Sequence, residues 1–108
     1  MQVHGTDDNV IAMAGGRTFN KPSRDYPSVA QTMAQWSTRL GCSGAPEEGA
    51  ARLDLDARIP GAETRVDRWR GCKAGLELWT IDGAGHGFAA TPSWSQSLWA
   101  FFKAHPRG

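Results

Sequence analysis

The stretch LELWTI, Leu76 to Ile81, constrains this chain more than any other segment. In an extended strand successive side chains alternate, so Leu76 and Leu78 fall on one face and Trp79 and Ile81 on the other. Apolar residues on both faces need cover on both faces, which is the situation of a sheet strand in a layered α/β domain. Two helical segments can supply that cover. In PSVAQTMAQWSTRLG, Val29, Met33, Trp36 and Leu40 recur at helical spacing. Ser28 and Gln31 predict a capping box at its start, and Gly41 predicts a left-handed stop at its end. A second helix is expected over Ser93 to Ala104, with Leu98, Phe101 and Phe102 inward and Pro106 as terminator.

The remaining elements are weaker. Met1 to Val3 reads as the end of a strand, shorter than the usual run of about five or six residues. His4 to Tyr26 reads as loop, punctuated by Gly15, Gly16, Asn20 and Pro22. Ser43 to Glu63 is expected to be a surface connection with a short extended piece at Leu53 to Leu55. Thr64 to Arg70 is polar with poor alternation, which suits an edge strand. Trp36, Trp69, Trp79 and Trp99 are expected to pack in the core, and His105 to serve the end of the last helix.

A chain of 108 residues is enough for one small domain and short for a deep-clefted enzyme. Its net charge is +1, with acids and bases interleaved, as in Asp54, Asp56, Arg58 and Arg65, Asp67, Arg68. Nucleic-acid binding calls for a concentrated basic face, so that class is excluded. No apolar run is long enough to span a membrane, and no secretory signal precedes the first strand. Cys42 and Cys72 form no CxxC pair, which leaves buried thiols or one disulfide.

Chemistry-bearing residues collect in two loops. HGTDDNV follows the first strand and carries Asp7 and Asp8; IDGAGHGF follows the best strand and carries His86. Gly83 and Gly85 allow a sharp turn there. Strand carboxyl ends are where ligands bind in open α/β sheets. A carboxylate and an imidazole brought together at that end make an Asp–His pair, in which the carboxylate orients the ring and stabilises its protonated form. Taken singly, a glycine-flanked histidine is more often a solvated loop residue, and an HG…D loop often just a turn. A metal set from His4, Asp7, Asp8 and His86 is disfavoured because no HxH or HExxH spacing is present.

Four stretches, HGTDDNVI, PSVAQTMAQWSTRLGCSGAP, RVDRWRGCKAGLELWTIDGAGHGF and SLWAFFKAHPRG, together resemble the C-terminal part of the polyhydroxybutyrate depolymerase and feruloyl esterase group of α/β-hydrolases. That group has HGTxD followed by an apolar pair, a helix ending in a GC pair, a second GC after a tryptophan- or tyrosine-bearing strand, and then GxGH. The resemblance implies the C-terminal portion of an α/β-hydrolase sheet, an incomplete domain of few strands with flanking helices. It implies Asp8, by its place in HGTxD, as the acid of a Ser–Asp–His triad and His86 as its base, with no cofactor or metal. It also implies a Cys42–Cys72 disulfide, an extracellular location, and a polyester or plant cell-wall ester as substrate.

The chain departs from the group's pattern where Ala12 replaces a proline, and where Gly87, Phe88, Ala89 and Ala90 follow the base in place of x-Trp-Pro-Gly. No G-x-S-x-G occurs, so the nucleophile and oxyanion hole are absent; Ser43 in GCSGA lacks the spacing. The expectation is a chain beginning mid-domain, a C-terminal esterase fragment with little activity alone. The alternative is a non-catalytic remnant that binds a partner or associates with itself through an exposed sheet edge. Trp94, after His86, is the one tryptophan considered for substrate contact.

Overall fold

A computed structural model describes residues 1–18 and 24–106. The turn expected at Asn20 and Pro22, and the last two residues, lie outside that range. The elements are β1 (Gln2–Gly5), β2 (Gly16–Arg17), β3 (Asp25–Tyr26), α1 (Val29–Arg39), β4 (Glu47–Leu53), β5 (Thr64–Trp69), β6 (Leu76–Ile81) and α2 (Ser93–Ala104). The architecture is mixed α/β. Four strands form one sheet in the order β1-β6-β5-β4, with β1 and β6 parallel and the other neighbours antiparallel. β2 and β3 make a separate short ribbon.

β6 behaves as its sequence requires. Leu76 and Leu78 pack with Val29 and Met33 of α1 on one face. Trp79 packs on the other with Val66 and Leu55, and with Trp94, Leu98 and Phe101 of α2. The α1 capping box is formed: Ser28 Oγ accepts from the Gln31 amide at 3.0 Å, and Gln31 Oε1 accepts from the Ser28 amide at 2.9 Å. Gly41 stops the helix at φ +63°. His105 Nδ1 lies 2.8 Å from the Phe101 carbonyl, at the end of α2. No described helix is long and apolar enough to cross a membrane.

Several sequence expectations are corrected. Thr64 to Arg70 is not an edge: β5 lies between β4 and β6. Its charges are tolerated inside the sheet because they are partnered. Asp67 accepts from the Gly49 amide and pairs with Arg65, and Arg68 pairs with Glu77 of β6. The segment expected to be a surface connection contains one of the sheet's two edge strands, β4, and beyond it Leu55 and Asp56 are completely buried. β1 runs on to Gly5, so His4 is a strand residue. Phe102 and Trp99 are 56% and 67% exposed, because Leu98 and Phe101 occupy the stripe of α2 that meets the sheet. Trp36 is 46% exposed and lies under the Arg39 guanidinium.

Candidate functional site

Because β1 and β6 are parallel neighbours, the loops that follow them leave the same end of the sheet. The two loops touch through their backbones: the Thr6 amide donates to the Ile81 carbonyl and the Asp7 amide to the Ala84 carbonyl, at 3.0 and 2.9 Å. Gly5 makes this approach possible, since a Cβ there would overlap the Ala84 carbonyl. At the loop entry Thr6 Oγ1 accepts from the Gly83 amide at 2.8 Å.

The juxtaposition brings Asp8 and His86 together. Asp8 Oδ2 is 3.0 Å from His86 Nδ1. Asp8 Oδ1 accepts from the amides of Val10 and Ile11 at 2.9 and 2.8 Å, so the HGTDDNVI loop folds around its own carboxylate. The Asp8 side chain is 6% exposed and that of His86 56%. Burial pushes Asp8 upward, yet the Ile11 amide, the His86 ring and the Val10 amide outweigh it, leaving the carboxyl below its ordinary value. An ionised carboxylate only accepts, so in the His86 pair Nδ1 carries the proton. In the neutral ring Nε2 then offers a lone pair outward.

Asp7, the other carboxylate of the motif, is held instead by Thr6 Oγ1 at 3.3 Å. Sequence reasoning missed a second imidazole on Asp8. His4 Nε2 donates to the Ile11 carbonyl at 2.7 Å and sits 3.4 Å from Asp8 Oδ2, nearly buried. The extension of β1 through His4 is what places it there, and the HG dipeptide was the available signal. The HGTDDNVI loop is further braced by Tyr26, whose hydroxyl accepts from the Ala12 amide at 3.0 Å. A cleft of about 500 Å³ opens beside the pair, walled by Val3, Ile11, Phe88, Trp94 and Leu98. Trp94 thus stands near His86, edge-on to Phe88 with ring centroids 5.0 Å apart.

Cys42 and Cys72 form a disulfide, remote from these loops, at the junction of the α1 C-terminus with the β5–β6 turn. Among the described residues no three His, Cys, Asp or Glu side chains converge as a metal set.

Behind the loop that carries His86 lie two buried carboxylates. Glu63 Oε1 accepts from the amides of Leu55 and Asp56 and from Thr64 Oγ1. Burial pushes Glu63 upward, but these donors prevail and its value is lowered. Asp56 is held down to about 2, chiefly by the Arg58 guanidinium, which overcomes burial with help from the amides of Arg58 and Ala89. Groups with folded values below their unfolded ones add stability above the unfolded value and lose it as pH falls through the folded one. The urea midpoint should therefore drop steadily from about pH 5 to about pH 2, and Asp56→Asn should flatten the profile. A midpoint indifferent to pH over that range would refute the assignment of these carboxylates.

No family model, curated protein or solved structure matches this chain.

Proposed function

We propose that the chain supplies the acid and base of a serine carboxylic ester hydrolase with the α/β-hydrolase plan, similar to the polyhydroxybutyrate depolymerase and feruloyl esterase group. The observation that carries this reading is the 3.0 Å pair between a buried, loop-clamped Asp8 and an exposed His86, each at the carboxyl end of one of two parallel strands. In the scheme, a serine hydroxyl donated beside the free edge of β1 attacks an ester carbonyl. His86 Nε2 takes the serine proton and passes it to the departing alcohol. Asp8 keeps Nδ1 protonated and stabilises the imidazolium. The same relay then activates water to release the acyl group. The apolar cleft walled by Phe88 and Trp94 suits the non-polar part of a polyester or plant cell-wall ester. The disulfide is compatible with an extracellular location.

Among the described residues, no serine hydroxyl is hydrogen-bonded to His86. The isolated chain should therefore turn over p-nitrophenyl butyrate barely above background. Expressed together with an in-frame upstream segment that carries G-x-S-x-G, it should show turnover that Asp8→Asn lowers by roughly 10⁴-fold and His86→Ala by roughly 10⁶-fold. Robust turnover by the isolated chain that is lost in His86→Ala would overturn the requirement for a donated serine. Turnover by the combined protein that survives His86→Ala would overturn the role of the pair.

A second reading is favoured by the contrast between the sheet's two edges. β4 carries Glu47, Glu48 and Arg52 and is interrupted by a register shift between Glu47 and Ala51. These features discourage pairing. β1 is short, carries no carboxylate or lysine, and has no partner on its other edge among the described residues. On this reading the chain is a binding module that adds a strand at β1, from a partner or from a second copy. Sedimentation equilibrium would then show a concentration-dependent dimer, absent when Val3→Pro removes a backbone donor from that strand.

A further inference from the structure

We infer that Arg58 is a positioning residue for His86, acting by clamping the base loop to a buried carboxylate. The inference rests on the acid–base reading of Asp8 and His86 and concerns what holds the base in place.

Leu55 to Ile59 runs alongside the loop that carries His86 and meets it at several points. The Ala57 amide donates to the Ala89 carbonyl at 2.7 Å, and the Thr91 amide to the Leu55 carbonyl at 3.0 Å. Ile59 lies next to Gly83 at the start of the loop. Arg58 makes the contact nearest the base. Its Nη2 donates to the carbonyl of Gly87, the residue after His86, at 2.9 Å. The guanidinium is itself fixed, because Nε and Nη2 reach the two oxygens of Asp56 at 3.1 and 3.0 Å. The Asp56 side chain is 1% exposed. Its backbone is pinned in turn by Glu63 at the head of β5. Sheet, glutamate, aspartate, arginine and loop carbonyl thus form one chain of hydrogen bonds.

The arrangement solves a specific problem. The base loop holds Gly83, Gly85 and Gly87 within five residues, and added Cβ atoms at Gly85 and Gly87 would meet nothing. The two residues that flank His86 therefore contribute no side-chain packing, and the nearest packed side chains are Ala84 and Phe88. The Asp8 hydrogen bond aligns the ring only if the backbone between them stays put. A forked guanidinium can grip a carboxylate and a carbonyl at once, which a lysine ammonium cannot reproduce with the same planarity.

The test is nitrogen-15 and proton NMR of the imidazoles in the full, disulfide-bonded chain. Wild type should show a slowly exchanging His86 Nδ1 proton that vanishes in Asp8→Asn. In Arg58→Ala its exchange should accelerate about ten- to a hundredfold, with the ring losing its Nδ1–H tautomer preference, while the β5 and β6 amides stay protected. Arg58→Lys should restore part of the protection. If Arg58→Ala fails to fold because Asp56 is left unpaired, the double variant Asp56→Asn/Arg58→Ala removes that charge and should give the same faster exchange. A wild-type Nδ1 proton as slow in folded Arg58 variants as in the parent overturns the clamp and leaves the acid–base pair standing. A wild type lacking the protected proton altogether overturns the pair, and the clamp with it.

Discussion

Replacing Trp79 by alanine is expected to cost about 3–5 kcal/mol of stability. Trp79 is 3% exposed at the centre of β6, level with Val3 of β1 and Val66 of β5. Its ring meets Trp94 and Phe101 edge-on, at centroid separations of 6.3 and 6.4 Å. The indole Nε1 also donates to Glu77 Oε2 at 2.7 Å, inside the sheet. Alanine would therefore open a cavity between sheet and α2, and would take a donor from a buried carboxylate that Arg68 alone must then satisfy. A domain of this size is stable by only about 5–15 kcal/mol, so the loss is a large fraction of the whole. Trp79→Phe should cost clearly less, because it refills most of the space. Trp99→Ala, on the exposed side of α2, should stay within about 0.5 kcal/mol. Urea denaturation of the three variants checks this. Equal midpoints for Trp79→Ala and Trp99→Ala would refute the placement of the core.

Removing the Cys42–Cys72 disulfide should cost about 3–4 kcal/mol. The bridge spans 30 residues of sequence and encloses β4 and β5. Around it the Ser43 amide donates to Arg70 and the Lys73 amide to Leu40, so the junction is already shaped by backbone hydrogen bonds. The main effect expected is on the unfolded chain, whose ends of this loop become free to separate. Cys42→Ser/Cys72→Ser should accordingly lower the urea midpoint, with the Asp8–His86 pair retained in the folded fraction. Intact mass with and without reduction establishes the bond itself. A midpoint unmoved by reduction would show that it adds nothing to folding.

What could be read in the residues, and what could not, follows from how far each signal depends on distant partners. β6 and α1 carry their own instructions, in the two apolar faces of LELWTI and in the spacing and cap of Ser28 to Leu40. β4 does not. Its residues, EEGAARL, lack β-branched side chains, and it becomes a strand only because β5 lies beside it. The polar look of β5 suggested an edge, but Asp67 and Arg68 find their partners on neighbouring strands, where local pattern cannot see them. Asp8 is singled out by its place in a motif, while the imidazole it meets lies 78 residues away in sequence. Arg58 was visible only as one charge among several, because its partners lie at Asp56 and, 29 residues away, at Gly87.

The parallel pairing of β1 with β6 has a consequence for assembly. Asp8 and His86 stand 78 residues apart along the chain and meet only when β1 docks onto β6. Closing so long a span is entropically slow, and nothing nearer in sequence can substitute for it. While the polypeptide is being synthesised, then, the Asp8–His86 hydrogen bond does not exist in any partial form; it arrives when β6 pairs with β1.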